Sequence, residues 1–295
     1  EFRRVLFRSY VTSMTDIFTP HEDCKSPRII LIEGEPGMGK TTYCQKLAYD
    51  WATKQEHKWH KSFPKIEVLL LLRCRDIHDS IWESIDDQIL KNLEETNPKT
   101  KDMFFKFMQD NPSKVMLVLD GIDEADPHKL GVYLSLIQRK QLPGCYIVLT
   151  SRHEAGNRVA PYVDTLLEIV GFTKRDAEHF IRKYFKHKEQ LGEKLVSQLC
   201  NDQQRMNDLK KLTRNPLNAL LLCVIFENFN GHLPSSRTKL YIEIILFILR
   251  RYELKNGLKS GGRDLLLVYN DELMRLGKMA LNSLREGKPH FEDHE

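Results

Sequence analysis

The sequence predicts an α/β domain built on a parallel sheet, followed by an all-helical domain. Three observations carry this. Five apolar runs, continuous rather than alternating, are separated by helix-patterned segments as far as Val170. Beyond about Gly171 such runs stop and only helical periodicity remains. A glycine-rich turn joins the first run to the first helix pattern, where an open α/β sheet receives its ligands.

The five runs are Arg28–Glu33, Ile66–Leu72, Val115–Asp120, Cys145–Thr150 and a weaker Leu166–Val170. Unbroken stretches such as Ile-Ile-Leu-Ile suit strands covered on both faces. Between them, Cys44, Leu47, Ala48 and Trp51 fall on one helical face. Ile81–Leu93, Lys101–Met108 and His128–Arg139 are the next helices expected, the last closed by a Pro143-Gly144 turn. Thr173 and Asp176 have capping-box spacing ahead of the stripe Ala177, Phe180, Ile181, Tyr184 and Phe185. Helices are further expected over Gly192–Asn201, Pro216–Asn228, Ser236–Leu254 and Asn270–Leu284. The boundaries implied are a linker over 1–26, the α/β domain over 27–170, a helical domain over 171–234 and a further region over 235–295, with Pro234-Ser235-Ser236 as the second boundary. Glu1–Ser9 is short, basic and unpatterned. It reads as a non-native scar and is left out of fold reasoning.

Composition excludes several classes. Hydrophobic residues at 41% and charged residues at 29% fit a globular chain of two or three units, not a disordered one. The 45 basic and 41 acidic residues leave +4, scattered and without a block suited to a phosphate backbone, so nucleic acid is not the expected partner. Six separated cysteines with no C-x-x-C pair exclude a zinc ribbon and a disulfide scaffold, and favour a reducing, cytoplasmic setting. No apolar run approaches the ~20 residues that span a bilayer. Ala219–Phe226 and Ile244–Leu249 are interrupted by polar residues and read as core helices. His57-Lys58-Trp59-His60 lacks a metal-ligand spacing, and Lys186-His187-Lys188 and Lys210-Lys211 read as solvated faces. Cys44 lies on an apolar stripe and gives no support to covalent catalysis.

The chemistry lies in two motifs. Gly34-Glu35-Pro36-Gly37-Met38-Gly39-Lys40-Thr41 matches G-x-x-x-x-G-K-[ST] between a buried strand and an amphipathic helix. Gly37 and Gly39 allow backbone N–H groups to turn inward, and the helix N-terminus, through Thr42, adds its own donors for an anion. Lys40 can reach the β- and γ-phosphates of a nucleotide, and the Thr41 hydroxyl can serve Mg²⁺. The second motif is Asp120-Gly121-Ile122-Asp123-Glu124 at the end of a buried strand. Asp120 is placed to hold Mg²⁺, while Asp123 and Glu124 can orient or deprotonate a water attacking the γ-phosphate.

A phosphate loop of this spelling, followed by Leu47-Ala48-Tyr49-Asp50-Trp51 and then Leu-Asp-Gly-Ile-Asp-Glu, resembles the NACHT nucleotide-binding domain of NOD-like innate immune receptors, a class of signal-transducing P-loop NTPases. The resemblance runs from about Ile17 to about Phe291. It implies a P-loop NTPase sheet, a helical domain and the start of a winged-helix domain. ATP or ADP with Mg²⁺ would bind at 34–42. The implied function is a nucleotide-operated switch with slow hydrolysis that self-associates and signals in the cytoplasm to adaptors through domains outside this chain. Arg152 in Thr150-Ser151-Arg152 looks like the family's sensor facing the γ-phosphate, although His153 stands where the family often has Pro; a surface arginine is the alternative. Pro216 in Asn215-Pro216-Leu217 looks like the proline packed near adenine, while the same residues also spell a plain helix start. Leu240-Tyr241 opens the winged-helix likeness, whose β-phosphate histidine is expected beyond this chain; His290 and His294 are not assigned to it. Gly121 replaces the glutamate that related ATPases carry directly after the magnesium aspartate. An AAA+-type remodelling ATPase and a scaffold holding ADP without hydrolysis are the alternative functions.

Overall fold

Seven strands make one sheet. In chain order they are β1 (Phe2–Arg4), β2 (Tyr10–Val11), β3 (Ile29–Glu33), β4 (Val68–Arg73), β5 (Val115–Asp120), β6 (Tyr146–Ser151) and β7 (Thr165–Ile169). The spatial order is β2-β1-β7-β3-β6-β5-β4, in which the five strands from β7 to β4 are parallel. This is the P-loop NTPase-like arrangement expected from the sequence. The structure is a computed structural model that describes residues 2–4, 10–11, 14–55, 59–92, 98–200, 211–234, 236–258 and 262–286. His57, Lys58, Leu93, Asn201, Lys210, Ser235, His290, Phe291 and His294 lie outside the described residues.

The continuity of the strand runs has a direct cause. Ile29 and Leu31 face one core with Leu117, Leu119, Ile147 and Leu149, while Ile30 and Ile32 face a second core with Met116, Val118 and Val148. Helices cover both faces, so neither parity of side chain meets water. Each such side chain is worth about 1.5–3 kcal/mol of burial, enough to fix the strand register. That register sets Ile32 beside Thr150, Glu33 beside Ser151, and Leu119 beside Leu149. The ends of β3, β5 and β6 thereby meet along one edge.

The helices are α1 (Lys40–Ala52), α2 (Ile81–Gln88), α3 (Pro98–Asp110), α4 (Leu130–Ile137), α5 (His153–Gly156), α6 (Lys174–Tyr184), α7 (Glu189–Cys200), α8 (Pro216–Asn228), α9 (Arg237–Lys255), α10 (Leu265–Val268) and α11 (Asn270–Glu286). Two expected helices are shorter. The one over Ile81–Leu93 ends at Gln88, whose side-chain amide is engaged by the Arg73 backbone and the Asp76 carbonyl, and a 3₁₀ turn follows. The one over His128–Arg139 begins at Leu130, because Asp126 caps a separate 3₁₀ turn opened by Pro127. Thr173 and Asp176 bond reciprocally ahead of α6, as their spacing predicts. Phe2–Arg4 departs from expectation. Although it falls in the stretch left out of fold reasoning, it pairs antiparallel with β7, whose outer edge offers unpaired backbone groups.

Contacts divide the chain into two compact units. The first comprises Glu1–Lys183 and Leu199–Leu220 and contains the sheet. The second comprises Tyr184–Gln198 and Leu221–Glu295 and is helical among its described residues. Within the second, Glu227 accepts bonds from Tyr184 Oη at 2.9 Å and Lys188 Nζ at 2.7 Å, and Phe185 meets Phe226 edge to face. No described helix is long and apolar enough to cross a membrane.

Candidate nucleotide site

The chain leaves β3 at Glu33 and turns through residues 34–39 into α1. Gly37 and Gly39 adopt φ of +77° and +95°, a region that carries a steric cost for any residue with a Cβ. The first backbone bond of α1 runs from Tyr43 N–H to the Gly39 carbonyl at 2.9 Å, and no side chain caps this end. The N–H groups of Lys40, Thr41 and Thr42 therefore lie ahead of the first intrahelical bond. Together with the positive end of the helix dipole they suit an anion. An added Cβ at Gly39 would meet nothing within 4 Å, so the mouth of the loop is open. These features fit the phosphate group of a nucleotide.

Lys40 Nζ donates to the Gly34 carbonyl at 2.6 Å and the Glu35 carbonyl at 3.3 Å. Burial lowers the pKa of its ammonium, and the carboxylates of Asp123, Asp120 and Glu124 oppose that shift. The acidic motif and the loop, about eighty residues apart in sequence, thus share one electrostatic environment.

At the end of β5, Asp120 accepts a bond from the Thr150 hydroxyl at 2.8 Å. The same hydroxyl accepts the Gly121 N–H at 2.8 Å, which fixes the turn that follows the strand. Asp123 is mostly buried and is held by Arg152 twice, through the backbone N–H at 3.2 Å and Nε at 3.0 Å. Arg152 stands at the end of β6, but its guanidinium lies on Asp123. Glu124 is half exposed and lies 3.8 Å from Arg75. Asp120, Asp123, Arg152 and Lys40 are brought together, and Glu124 sits at their solvent margin.

Pro216 opens α8 beside the loop. Asn215 Oδ1 accepts the N–H groups of Leu217 and Asn218 at 3.0 and 3.2 Å, the helix-start reading of these residues. Its Nδ2 donates to the Pro36 carbonyl at 2.8 Å, and Leu217 N–H donates to the Gly37 carbonyl at 3.3 Å. The segment reaches the phosphate loop itself.

Sequence reasoning missed three participants. The sequence marks Thr150 only as part of a sensor-like strand end; its role follows from a register that seats β6 beside β5. Asn215 stands in the sequence as a helix N-cap beside the proline likened to the adenine-packing one, and nothing in its local sequence signals a bond to the loop. Glu33 is buried and bonds His153 Nδ1 at 2.9 Å through Oε2. Burial raises the Glu33 carboxyl pKa, and the contact with His153 partly offsets this. A glutamate ending an apolar strand was the available signal. Among the positions not assigned to the site, Cys44 is buried, with its thiol pKa pushed well up by burial. Among the described residues no group of three His, Cys, Asp or Glu is set to hold a metal ion.

The family model of the NACHT domain matches residues 28–188. The chain belongs to the NACHT family. Its P-loop NTPase-like fold is the architecture of a nucleotide-binding module. The chain is 25% identical over 306 residues to the protein NLRC5 of Ictalurus punctatus, covering 92% of this chain and 17% of that protein. To NLRC5 of Homo sapiens it is 24% identical, covering 95% and 14% respectively. To the human NACHT, LRR and PYD domains-containing protein 3 it is 25% identical, covering 59% of this chain and 18% of that protein. The NACHT chain thus spans less than a fifth of these relatives. Among solved structures, it has a TM-score of 0.41 and 12% identity to the Thermotoga maritima RuvB Holliday junction branch migration motor, over 86% of this chain and 74% of that one.

Proposed function

We propose that this NACHT domain is an ATP/ADP-binding switch with slow hydrolysis, acting as the self-associating module of a cytoplasmic innate immune receptor. One observation carries the nucleotide part: two left-handed glycines, an uncapped helix N-terminus and the Lys40 ammonium converge at the sheet edge where Asp120 ends β5. The backbone N–H groups of Gly37, Gly39, Lys40, Thr41 and Thr42, within the loop of residues 34–42, hold the phosphates. Lys40 exchanges its loop carbonyls for phosphate oxygens. Thr41 and Asp120 would hold Mg²⁺, which would supply positive charge to neutralise the phosphates. Asp123 and Glu124 orient the attacking water, and Arg152 serves as the γ-phosphate sensor when it leaves Asp123. Pro216 packs near the adenine. Signalling adaptors are reached through domains beyond this chain.

The test is direct. Purified protein is analysed for copurifying nucleotide, its ADP and ATP affinities are measured with and without Mg²⁺, and particle mass is followed in each nucleotide state. Lys40→Ala should abolish binding while preserving the fold, because Lys40 is a phosphate ligand and not a core residue. Unchanged affinity in that variant refutes the phosphate-loop reading. An unchanging mass in every nucleotide state refutes the nucleotide-driven self-association.

A further inference from the structure

We propose that Asn215 is a positioning residue that holds the phosphate loop in its anion-binding shape, a step that rests on the nucleotide reading above. The residue does two jobs with one amide. Its oxygen caps α8 by accepting two backbone N–H groups, and its nitrogen donates to the Pro36 carbonyl at 2.8 Å. No described peptide is cis, so the C=O and N–H of each peptide plane point in opposite directions. Fixing the Pro36 carbonyl on Asn215 therefore turns the Gly37 N–H to the opposite side of that plane. The next plane is fixed in the same way: the Gly37 carbonyl accepts Leu217 N–H at 3.3 Å, and Met38 N–H turns back to the Glu35 carbonyl at 3.3 Å.

A second observation supports the clamp independently. An added Cβ at Gly37 would lie 2.8 Å from Asn215 Oδ1 and 3.0 Å from Leu217 Cβ. The start of α8 thus presses on the loop where glycine is present, beyond what the positive φ demands. Gly171 repeats the close approach on the other flank. Its added Cβ would lie 2.3 Å from the Arg214 carbonyl, while Phe172 N–H donates to that carbonyl at 2.8 Å. The segment Arg214–Leu217 is seated against the loop on one side and the end of β7 on the other, and Asn215 supplies the side-chain bond to the loop.

The distinguishing variant is Asn215→Ser. Serine caps a helix about as well as asparagine, carries no charge toward a phosphate, and is too short to reach Pro36. Asn215→Ala removes both cap and clamp. Three readouts separate the roles: thermal midpoint without nucleotide, hydrogen exchange of the 34–41 amides without nucleotide, and ADP affinity. For Asn215→Ser we expect a midpoint lower by no more than the one lost bond, about 1–6 °C, faster exchange confined to the loop, and ADP affinity lower by about three- to tenfold. Asn215→Ala should add a fall in midpoint. If wild type binds ADP and Asn215→Ser binds it equally well, the positioning role is wrong and the nucleotide reading stands. If affinity falls only in step with the midpoint, the residue is structural and the proposal fails. If wild type binds neither ADP nor ATP, the nucleotide reading falls and takes this proposal with it.

Discussion

Alanine at Gly37 should destabilise the NACHT domain more than alanine at Gly39, although both glycines belong to one loop and both have positive φ. The left-handed conformation costs a residue with a Cβ about 1–2 kcal/mol at either site. The unfolded-state gain of replacing glycine, about 0.4–1 kcal/mol, is also common to both and cancels in the comparison. The surroundings differ. At Gly39 the new methyl meets nothing within 4 Å, whereas at Gly37 it meets Asn215 Oδ1 at 2.8 Å and Leu217 Cβ at 3.0 Å. Those groups must give way, at the expense of the Asn215–Pro36 bond, a net loss of about 0.5–1.5 kcal/mol. At roughly 2–4 °C per kcal/mol for a domain of this size, the Gly37 variant should melt about 1–6 °C below the Gly39 variant. Thermal and urea unfolding of nucleotide-free protein measure it. The gap should shrink when both substitutions are placed on Asn215→Ser, where the bond is already gone. Equal midpoints, or a lower one for Gly39→Ala, refute the reasoning, because the close approach of α8 would then carry no energy.

Other expectations follow from the same geometry. Thr150→Val keeps shape but leaves the Gly121 N–H without its acceptor and Asp120 without its donor; it should cost about 1–3 kcal/mol in urea unfolding and weaken Mg²⁺-dependent nucleotide binding. Arg152→Ala removes the guanidinium from the mostly buried Asp123 and leaves it only the backbone N–H of residue 152; it should cost about 1–2 kcal/mol, between the exposed and buried limits for ion pairs, which the urea midpoint will register. Glu33 has its carboxyl pKa raised from 4.5, chiefly by burial. The fold thus favours its protonated form, and this contribution to stability is full below 4.5 and lost as pH rises through the raised value. Glu33→Gln should flatten that dependence in urea midpoints taken between about pH 4 and 7; an undiminished slope assigns it to other groups. Asp123→Asn with Glu124→Gln should leave ATP bound but slow single-turnover hydrolysis by about 10²–10⁴-fold, and parent-rate hydrolysis would make the acidic pair structural.

Local chemistry wrote much of this molecule into its sequence. Continuous apolar runs located the five parallel strands, because strands covered on both faces have no polar side to show. Val115–Asp120 coincides with β5, the first run differs from β3 by one residue at its start, and the other three differ from their strands by one or two residues at each end. The phosphate loop was legible because its residues are contiguous and each answers a local demand: glycine for positive φ, lysine and threonine at the first turn of a helix. The acidic end of β5 was legible for the same reason. What the sequence could not supply was the partner of each group. Arg152 rests on Asp123 because the sheet register sets β6 beside β5, and no spacing along the chain encodes that pairing. The double duty of Thr150 has the same origin. The Asn215–Pro36 bond spans 179 positions, so the local signal at Asn215 announced a helix cap and nothing more. The burial of Glu33 beside His153 likewise needs the ends of β3 and β6 to be adjacent. Backbone conformation and hydrophobic periodicity are short-range properties that a sequence displays directly. Which polar groups satisfy one another at the sheet edge is decided by strand order and register, and these exist only in the folded chain.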